Sequence, residues 1–312
     1  MDILWQLLLL TFGFFLLVKG ADWFVEGSSG IADKLGIPQL VIGLTIVAMG
    51  TSAPETAVSI TAAIKGNADI AIGNVVGSNI LNILIILGIS SVITSIAVAK
   101  TTIRYEIPIM LGATFLLLIF GTNGGTVCLW EGIVLLLCFA AYLFYMFVMV
   151  KKGEMQSEEL DNTQKPIWKL VLAGVIGLGL IIWGSDVTVD AATSLAKAFG
   201  MSEKFIGLTV VALGTSLPEL FTSVIAAKKG KADIAIGNIV GSNIFNILLV
   251  IGVSSLIIPV TFEMSFVIDC LVAVAAGVIL WLCVFRKKKL KRLDGVIMLV
   301  SYAAYFVYLL LK

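Results

Sequence analysis

The chain has 312 residues, 59% of them hydrophobic and only 13% charged, with a formal net charge of +1. Soluble domains average about 45–50% apolar and about 25% charged residues, so a soluble globular protein is excluded, and the near-zero charge gives nucleic acid no electrostatic footing. No histidine is present, which removes the commonest transition-metal ligand and the usual proton relay near neutral pH.

Apolar runs near 20 residues recur from end to end and predict an all-α, polytopic membrane protein. The short alternating segments of an outer-membrane barrel are absent. The first run, "MDILWQLLLLTFGFFLLVKG", has no basic leading region and no small-residue cleavage site, so it reads as a membrane span and not as a signal peptide. Spans are expected at about 3–20, 38–64, 70–97, 105–121 and 126–150, then at 167–196, 203–228, 234–258, 264–285 and 294–311. The polar stretch Lys151 to Lys165 separates the two sets and is too short for a folded regulatory domain. Cys128, Cys138, Cys270 and Cys283 lie in apolar segments without paired spacing, as small apolar residues of helices do.

One unit is used twice. Residues 42–93 and 206–257 align without a gap, and about 35 of 52 positions are identical. The organisation expected is therefore a first five-span repeat over 1–155, a cytoplasmic linker over 156–165 and a second five-span repeat over 166–312. Five is odd, so the second repeat enters the membrane from the opposite side: ten helices in two inverted repeats, with an ion site at their interface. Placing the N-terminus outside puts sixteen Lys and Arg residues in inside loops and four outside, with Lys19 unassigned. This positive-inside bias places both termini outside.

Two hexapeptides, "GTSAPE" (50–55) and "GTSLPE" (214–219), put a carboxylate near the middle of a span. A charge at a helix centre costs about 2.5–3.5 kcal/mol on insertion scales, and such residues face an interior path. Thr51 and Glu55 are four apart and should share a helix face with Ser52 close by; Thr215, Ser216 and Glu219 repeat the pattern. Pro54 and Pro218 lack an N–H, which frees the carbonyls of Gly50 and Gly214 as oxygen ligands. The next spans carry "GNVVGSNILN" and "GNIVGSNIFN". Ser78 and Asn82 are four apart there, as are Ser242 and Asn246, and Asn74 and Asn238 lie one turn before the serines. Gly73/Gly77 and Gly237/Gly241 read as close-packing pairs. Asn79 and Asn243 are candidates for bonds between helices, Asp69 and Asp233 for helix caps, and Asp22 and Asp186 for interfacial or access positions. Carboxylates, hydroxyls, amide oxygens and freed carbonyls, with no thiolate or imidazole, form a donor set for hard cations: Ca²⁺ takes 6–8 oxygens in flexible geometry, and Mg²⁺ dehydrates too reluctantly.

With these residues in view, duplicated "GTS(A/L)PE" followed by "IAIGNxVGSNIxNI" resembles the repeats of the cation/calcium exchanger superfamily, and the chain is most similar to its prokaryotic sodium/calcium antiporters. The resemblance covers essentially the whole chain. It implies Na⁺/Ca²⁺ antiport by alternating access, with no cofactor and no obligate protein partner, in a prokaryotic inner or plasma membrane. It implies a central set of Glu55, Asn82, Glu219 and Asn246, hydroxyls from Thr51, Ser52, Ser78, Thr215, Ser216 and Ser242, and backbone carbonyls at Ala48 and Ala212. It also implies that the first and sixth spans slide across the other eight. Some members place an aspartate where this chain has Asn246, so the resemblance argues against potassium co-transport here. A H⁺/Ca²⁺ exchanger of the same fold is the alternative. A calcium-selective channel is less favoured because channel pores usually form on oligomer axes, and no Ser–His, zinc or two-aspartate pattern suggests an intramembrane hydrolase.

Overall fold

The computed structural model describes residues 3–66, 68–152, 165–201 and 212–311. Helices dominate. The first half contains α1 (Ile3–Leu35), α2 (Gln39–Thr51), α3 (Ala53–Ile64), α4 (Ile70–Ile93), α5 (Thr102–Thr122) and α6 (Leu129–Lys152). The second contains α7 (Ile167–Ala198), α8 (Ala212–Thr215), α9 (Leu217–Lys228), α10 (Ala232–Ile257), α11 (Met264–Phe285) and α12 (Arg292–Leu311). Among the described residues, eight helices are long and apolar enough to cross a membrane, and α2 with α3 forms a ninth candidate bent by 50°. Most of the predicted linker 156–165 and the start of the span predicted at 203–228 lie outside the described residues.

Two boundaries differ from expectation. The first span does not end near residue 20; α1 runs unbroken to Leu35. The segment "GADWFVEGSSG" contains enough small residues to look like a loop, but those residues are the packing surface. A Cβ on Gly20 would lie 2.8 Å from the Gly177 carbonyl oxygen, and one on Gly177 would lie 2.5 Å from the Phe24 nitrogen. α1 and α7 thus approach along a glycine seam, backbone to backbone, as small residues permit in a membrane. The third span stops at Ile93, not 97, because the chain turns extended at Thr94 and forms a short strand.

Four such strands tie the halves together. β1 (Ile96–Ala97) pairs antiparallel with β4 (Lys289–Leu290), and β2 (Thr126–Val127) pairs with β3 (Val260–Thr261). Each pair takes one strand from each half. The helix ends beside them cross over in the same way: a Cβ on Gly132 of α6 would meet Ser255 of α10, and a Cβ on Gly295 of α12 would meet Ser91 of α4.

α4 and α10 form the centre. In the most apolar stretch of α10, 94% of residues are buried, and in α4 72%, against 17–39% for the other long helices. The outer helices turn large apolar side chains outward, among them Trp130, Phe144 and Leu282, as lipid-facing surfaces do. Over the aligned segments 42–93 and 206–257, the buried polar residues lie on these two helices, on α2, α3 and α9, and immediately before α3 and α9.

Candidate cation site

The helix carrying each glutamate is broken beside it. α2 ends at Thr51, Ser52 leaves helical geometry at φ −81° and ψ 10°, and α3 restarts with Pro54 in its first turn and Glu55 just behind it. Ser216 repeats this at φ −91° and ψ 5°, with Pro218 and Glu219 following. Proline suits a helix's first turn because its missing N–H would lack a partner there anyway. The smooth helix face expected for Thr51 and Glu55 is therefore corrected: a break separates them, and Ser52 sits at the corner.

The carboxylates are buried, each 1% exposed, and each is held by the serine of the other half. Ser52 Oγ donates to Glu219 Oε1 at 2.8 Å, and Ser216 Oγ donates to Glu55 Oε1 at 3.3 Å. The backbone of each glutamate is pinned by an asparagine from the following helix. Asn74 Nδ2 donates to the Glu55 carbonyl at 3.1 Å and to Ser59 Oγ at 3.0 Å; Asn238 Nδ2 donates to the Glu219 carbonyl at 3.4 Å and to Ser223 Oγ at 2.9 Å.

The central helices carry a second reciprocal network. Asn79 Nδ2 donates to the Asn243 carbonyl and Asn243 Nδ2 to the Asn79 carbonyl, both at 3.1 Å. Asn82 Nδ2 donates to Asn243 Oδ1 at 2.9 Å, and Asn246 Nδ2 to Asn79 Oδ1 at 3.2 Å. These bonds fix the orientation of the Asn82 and Asn246 amides and leave their oxygens free. Both asparagines open a π-helical segment, Asn82–Leu87 and Asn246–Ile251, a distortion frequent at functional sites.

Among the described residues, eleven buried side-chain oxygens have no hydrogen-bond partner, and four of them belong to these carboxylates and amides: Glu55 Oε2, Glu219 Oε2, Asn82 Oδ1 and Asn246 Oδ1. Unpaired buried polar atoms each cost about 1–3 kcal/mol, and native proteins keep few of them. These four belong to two symmetry-related residue pairs, all oxygen and all acceptors once the carboxylates are ionised. Such an all-oxygen set has the ligand chemistry of a hard cation.

The sodium/calcium exchanger protein family matches residues 5–148 and 169–311. The chain belongs to that family. It is 42% identical over 303 residues to the putative antiporter CaxA of Alkalimonas amylolytica, covering 94% of this chain and 95% of that one. It is 34% identical to the sodium/calcium exchanger MaX1 of Methanosarcina acetivorans, covering 97% of each. Among solved structures, the sodium-calcium exchanger NCX_Mj matches with a TM-score of 0.85 at 32% identity, over 99% of this chain and 100% of that chain. This chain is therefore an integral multi-pass membrane antiporter and not an enzyme, and its ions are cargo, not cofactors.

Within the exchanger, the remaining site residues expected from sequence fall as follows. Thr51 Oγ1 donates to Asn238 Oδ1 at 3.0 Å, whereas the buried Thr215 Oγ1 has no partner among the described residues. Ser242 Oγ donates to the Ala48 carbonyl at 3.4 Å, and Ser78 is buried on α4. The side chain of Ala212 lies outside the described residues. The Gly214 carbonyl, expected to be free, accepts from Ser185 Oγ at 2.8 Å; a hydroxyl on α7 compensates for the donor that Pro218 lacks. Asp233 is not a cap: Lys231 holds that place and Asp233 lies in the first turn, where the helix dipole favours it. The Asp69 side chain lies outside the described residues. Gly237 and Gly241 are close-packing residues, with Cβ positions 3.0 Å and 2.5 Å from α2 backbone oxygens; the corresponding partner segment for Gly73 and Gly77 falls on 204–208, outside the described residues.

Sequence reasoning passed over Ser59 and Ser223, which anchor the pinning asparagines, and gave Asn74 and Asn238 no such role. Their identity across the repeat was the available signal. It also passed over Glu106, fully buried and accepting from Tyr145 at 2.6 Å, which sits near a span end and has no glutamate counterpart in the second half.

Proposed function

We propose that this exchanger moves Ca²⁺ against Na⁺ by alternating access at a single site formed jointly by its two halves. The observation that carries the reading is the set of four orphaned oxygens on Glu55, Glu219, Asn82 and Asn246. Two carboxylates balance one Ca²⁺, and the hydroxyls of Thr51, Ser52, Ser78, Thr215, Ser216 and Ser242 and the carbonyls of Ala48 and Ala212 are the further oxygen ligands that singly charged Na⁺ ions of similar size would share. MaX1 and NCX_Mj, both described as sodium/calcium exchangers, support the choice of ions.

The architecture we infer is ten spans in two inverted five-span repeats, 1–155 and 166–312, joined by a cytoplasmic linker at 156–165. The reciprocal serine–glutamate, asparagine and strand pairings support it. Both termini face outside, in a prokaryotic inner membrane, by the charge bias of the loops. No obligate protein partner is required by a site that one chain completes.

Exchange of H⁺ for Ca²⁺ is the second reading. Among the described residues no basic side chain pairs with Glu55 or Glu219, so a proton could balance a carboxylate once the cation leaves. Purified protein in proteoliposomes decides between them. Na⁺-loaded vesicles diluted into Na⁺-free medium should accumulate Ca²⁺, and Glu55→Gln and Glu219→Gln should each abolish uptake. Uptake driven by a pH gradient without Na⁺ would replace the first reading with the second.

A further inference from the structure

The two halves differ where their first helix meets the helix carrying the glutamate. α1 packs along α9, with the Phe14 and Phe221 ring centroids 5.9 Å apart. Lys229 Nζ lies 2.7 Å from the Asp22 carboxylate and donates to the Asp22 carbonyl at 2.9 Å. On the other side α7 stands away from α3. A cavity of about 590 Å³ separates them, lined by Pro54 and Val58 of α3, by Asp186 and Asp190 of α7, and by Thr215.

The sequence equates these residues. At the repeat offset of 164, Asp22 corresponds to Asp186, Glu26 to Asp190, and Lys229 to Lys65. Lys65 and Lys229 also match in backbone: each ends its helix, at φ −80° and ψ 0° and at φ −78° and ψ 1°. Yet only one lysine is engaged. Among the described residues, Lys65, Asp186 and Asp190 are in no ion pair, and Asp186 and Asp190 are exposed to the cavity. The hydroxyls agree: Thr51 reaches Asn238 on the closed side, while Thr215, beside the cavity, has no partner among the described residues.

We propose that Lys229–Asp22 and Lys65–Asp186 are alternative latches of the transport cycle, an inference that rests on the alternating-access reading above. The structure holds the first latch closed and the second open. The glycine seam makes α1 and α7 one body, so a slide that withdraws Asp22 from Lys229 also carries Asp186 along α3 towards Lys65. Val58, at the level of the cavity, and Lys65 are seven residues apart, about 10 Å of helix, more than a lysine side chain spans, so the second latch needs that slide. Each opened latch leaves an aspartate at a mouth of the path: Asp186, beside Asp190, now, and Asp22 after the switch. The energetic exchange is one partly exposed ion pair for an equivalent one, which keeps the two states close in free energy.

Paired cysteines test this in proteoliposomes, in a background where the four native cysteines are serine. Asp22→Cys/Lys229→Cys and Lys65→Cys/Asp186→Cys should each be bridged by a short bis-thiosulfonate reagent, which forms a disulfide with each cysteine by displacing sulfinate; each bridge should arrest Na⁺-driven Ca²⁺ uptake, and reduction should restore it. Charge changes in the native-cysteine chain give an independent measure: Lys65→Asp should slow exchange about fivefold, the equivalent of one exposed ion pair, and Lys65→Asp/Asp186→Lys should recover it. Normal exchange by Lys65→Asp, or a Lys65/Asp186 pair that is never bridged while the other is, overturns the latch and leaves the transport reading intact. Wild-type vesicles that take up no Ca²⁺ overturn the transport reading itself.

Discussion

The central helices and the outer pair treat the same duplication differently. On α4 and α10, each amide donation of the asparagines in one half is repeated in the other: Asn79 mirrors Asn243, Asn82 mirrors Asn246, and Asn74 mirrors Asn238. On α1 and α7 the sequence correspondence survives but the contacts do not. α1 is sealed against α9, and α7 is parted from α3. The difference separates two tasks. In the proposed cycle, a symmetric centre would fix the oxygens that meet the ion and serve either facing unchanged. The asymmetric outer pair would decide which mouth is open, which requires two packings of similar free energy.

If the centre is symmetric in energy as well as in geometry, Asn79→Ala and Asn243→Ala should behave alike. Each removes the acceptor that orients an amide oxygen of the site, and each should weaken Ca²⁺ binding by about 10–100-fold, the usual cost of losing a residue that orients a ligand. Titration calorimetry checks this. A large inequality between the two would break the comparison at its symmetric end.

The outer pair is tested through its seam. Gly177→Ala places a methyl against the α1 backbone and should destabilise the protein by about 1–3 kcal/mol, as overpacking does. Thermal melting in detergent reads that loss, and exchange should slow as well because the seam transmits the slide. Unchanged melting would mean that α1 and α7 are not held as one body.

The smallest effect belongs to Lys165, which pairs with the half-exposed Glu26. Lys165→Gln should cost less than about 1 kcal/mol of stability and leave Ca²⁺ affinity unchanged, measured by the same melting and calorimetry. A change in affinity would extend the site to the helix ends.

Much of the centre was readable before the structure because two copies constrain each other. A single buried Glu has a packing explanation; Glu55 and Glu219 in matched hexapeptides do not. Asn82 and Asn246 stand out for the same reason, and among the described residues their amide oxygens accept no hydrogen bond. The rest depended on three-dimensional detail. The break at Ser52 looks like a proline kink in sequence, yet it lies two residues before Pro54 and turns the two serines towards opposite glutamates. The Gly214 carbonyl looked free because nothing local marks Ser185, 29 residues away, as its donor. The length of α1 was misjudged because glycines that pack a helix seam and glycines that end a helix have the same letters. The π-helical turns at Asn82 and Asn246 left no pattern to read.

The central claim is that Glu55 and Glu219 hold one cation between them. Calcium titration of the purified protein and of Glu55→Gln, Glu219→Gln and the double variant tests it most directly. The account predicts one Ca²⁺ per chain in the wild type and a loss on the order of 100-fold in each single variant, since the site's ligand charge sets its affinity. The double variant should then add little further loss. A single variant that still binds one Ca²⁺ at wild-type affinity would contradict the shared site.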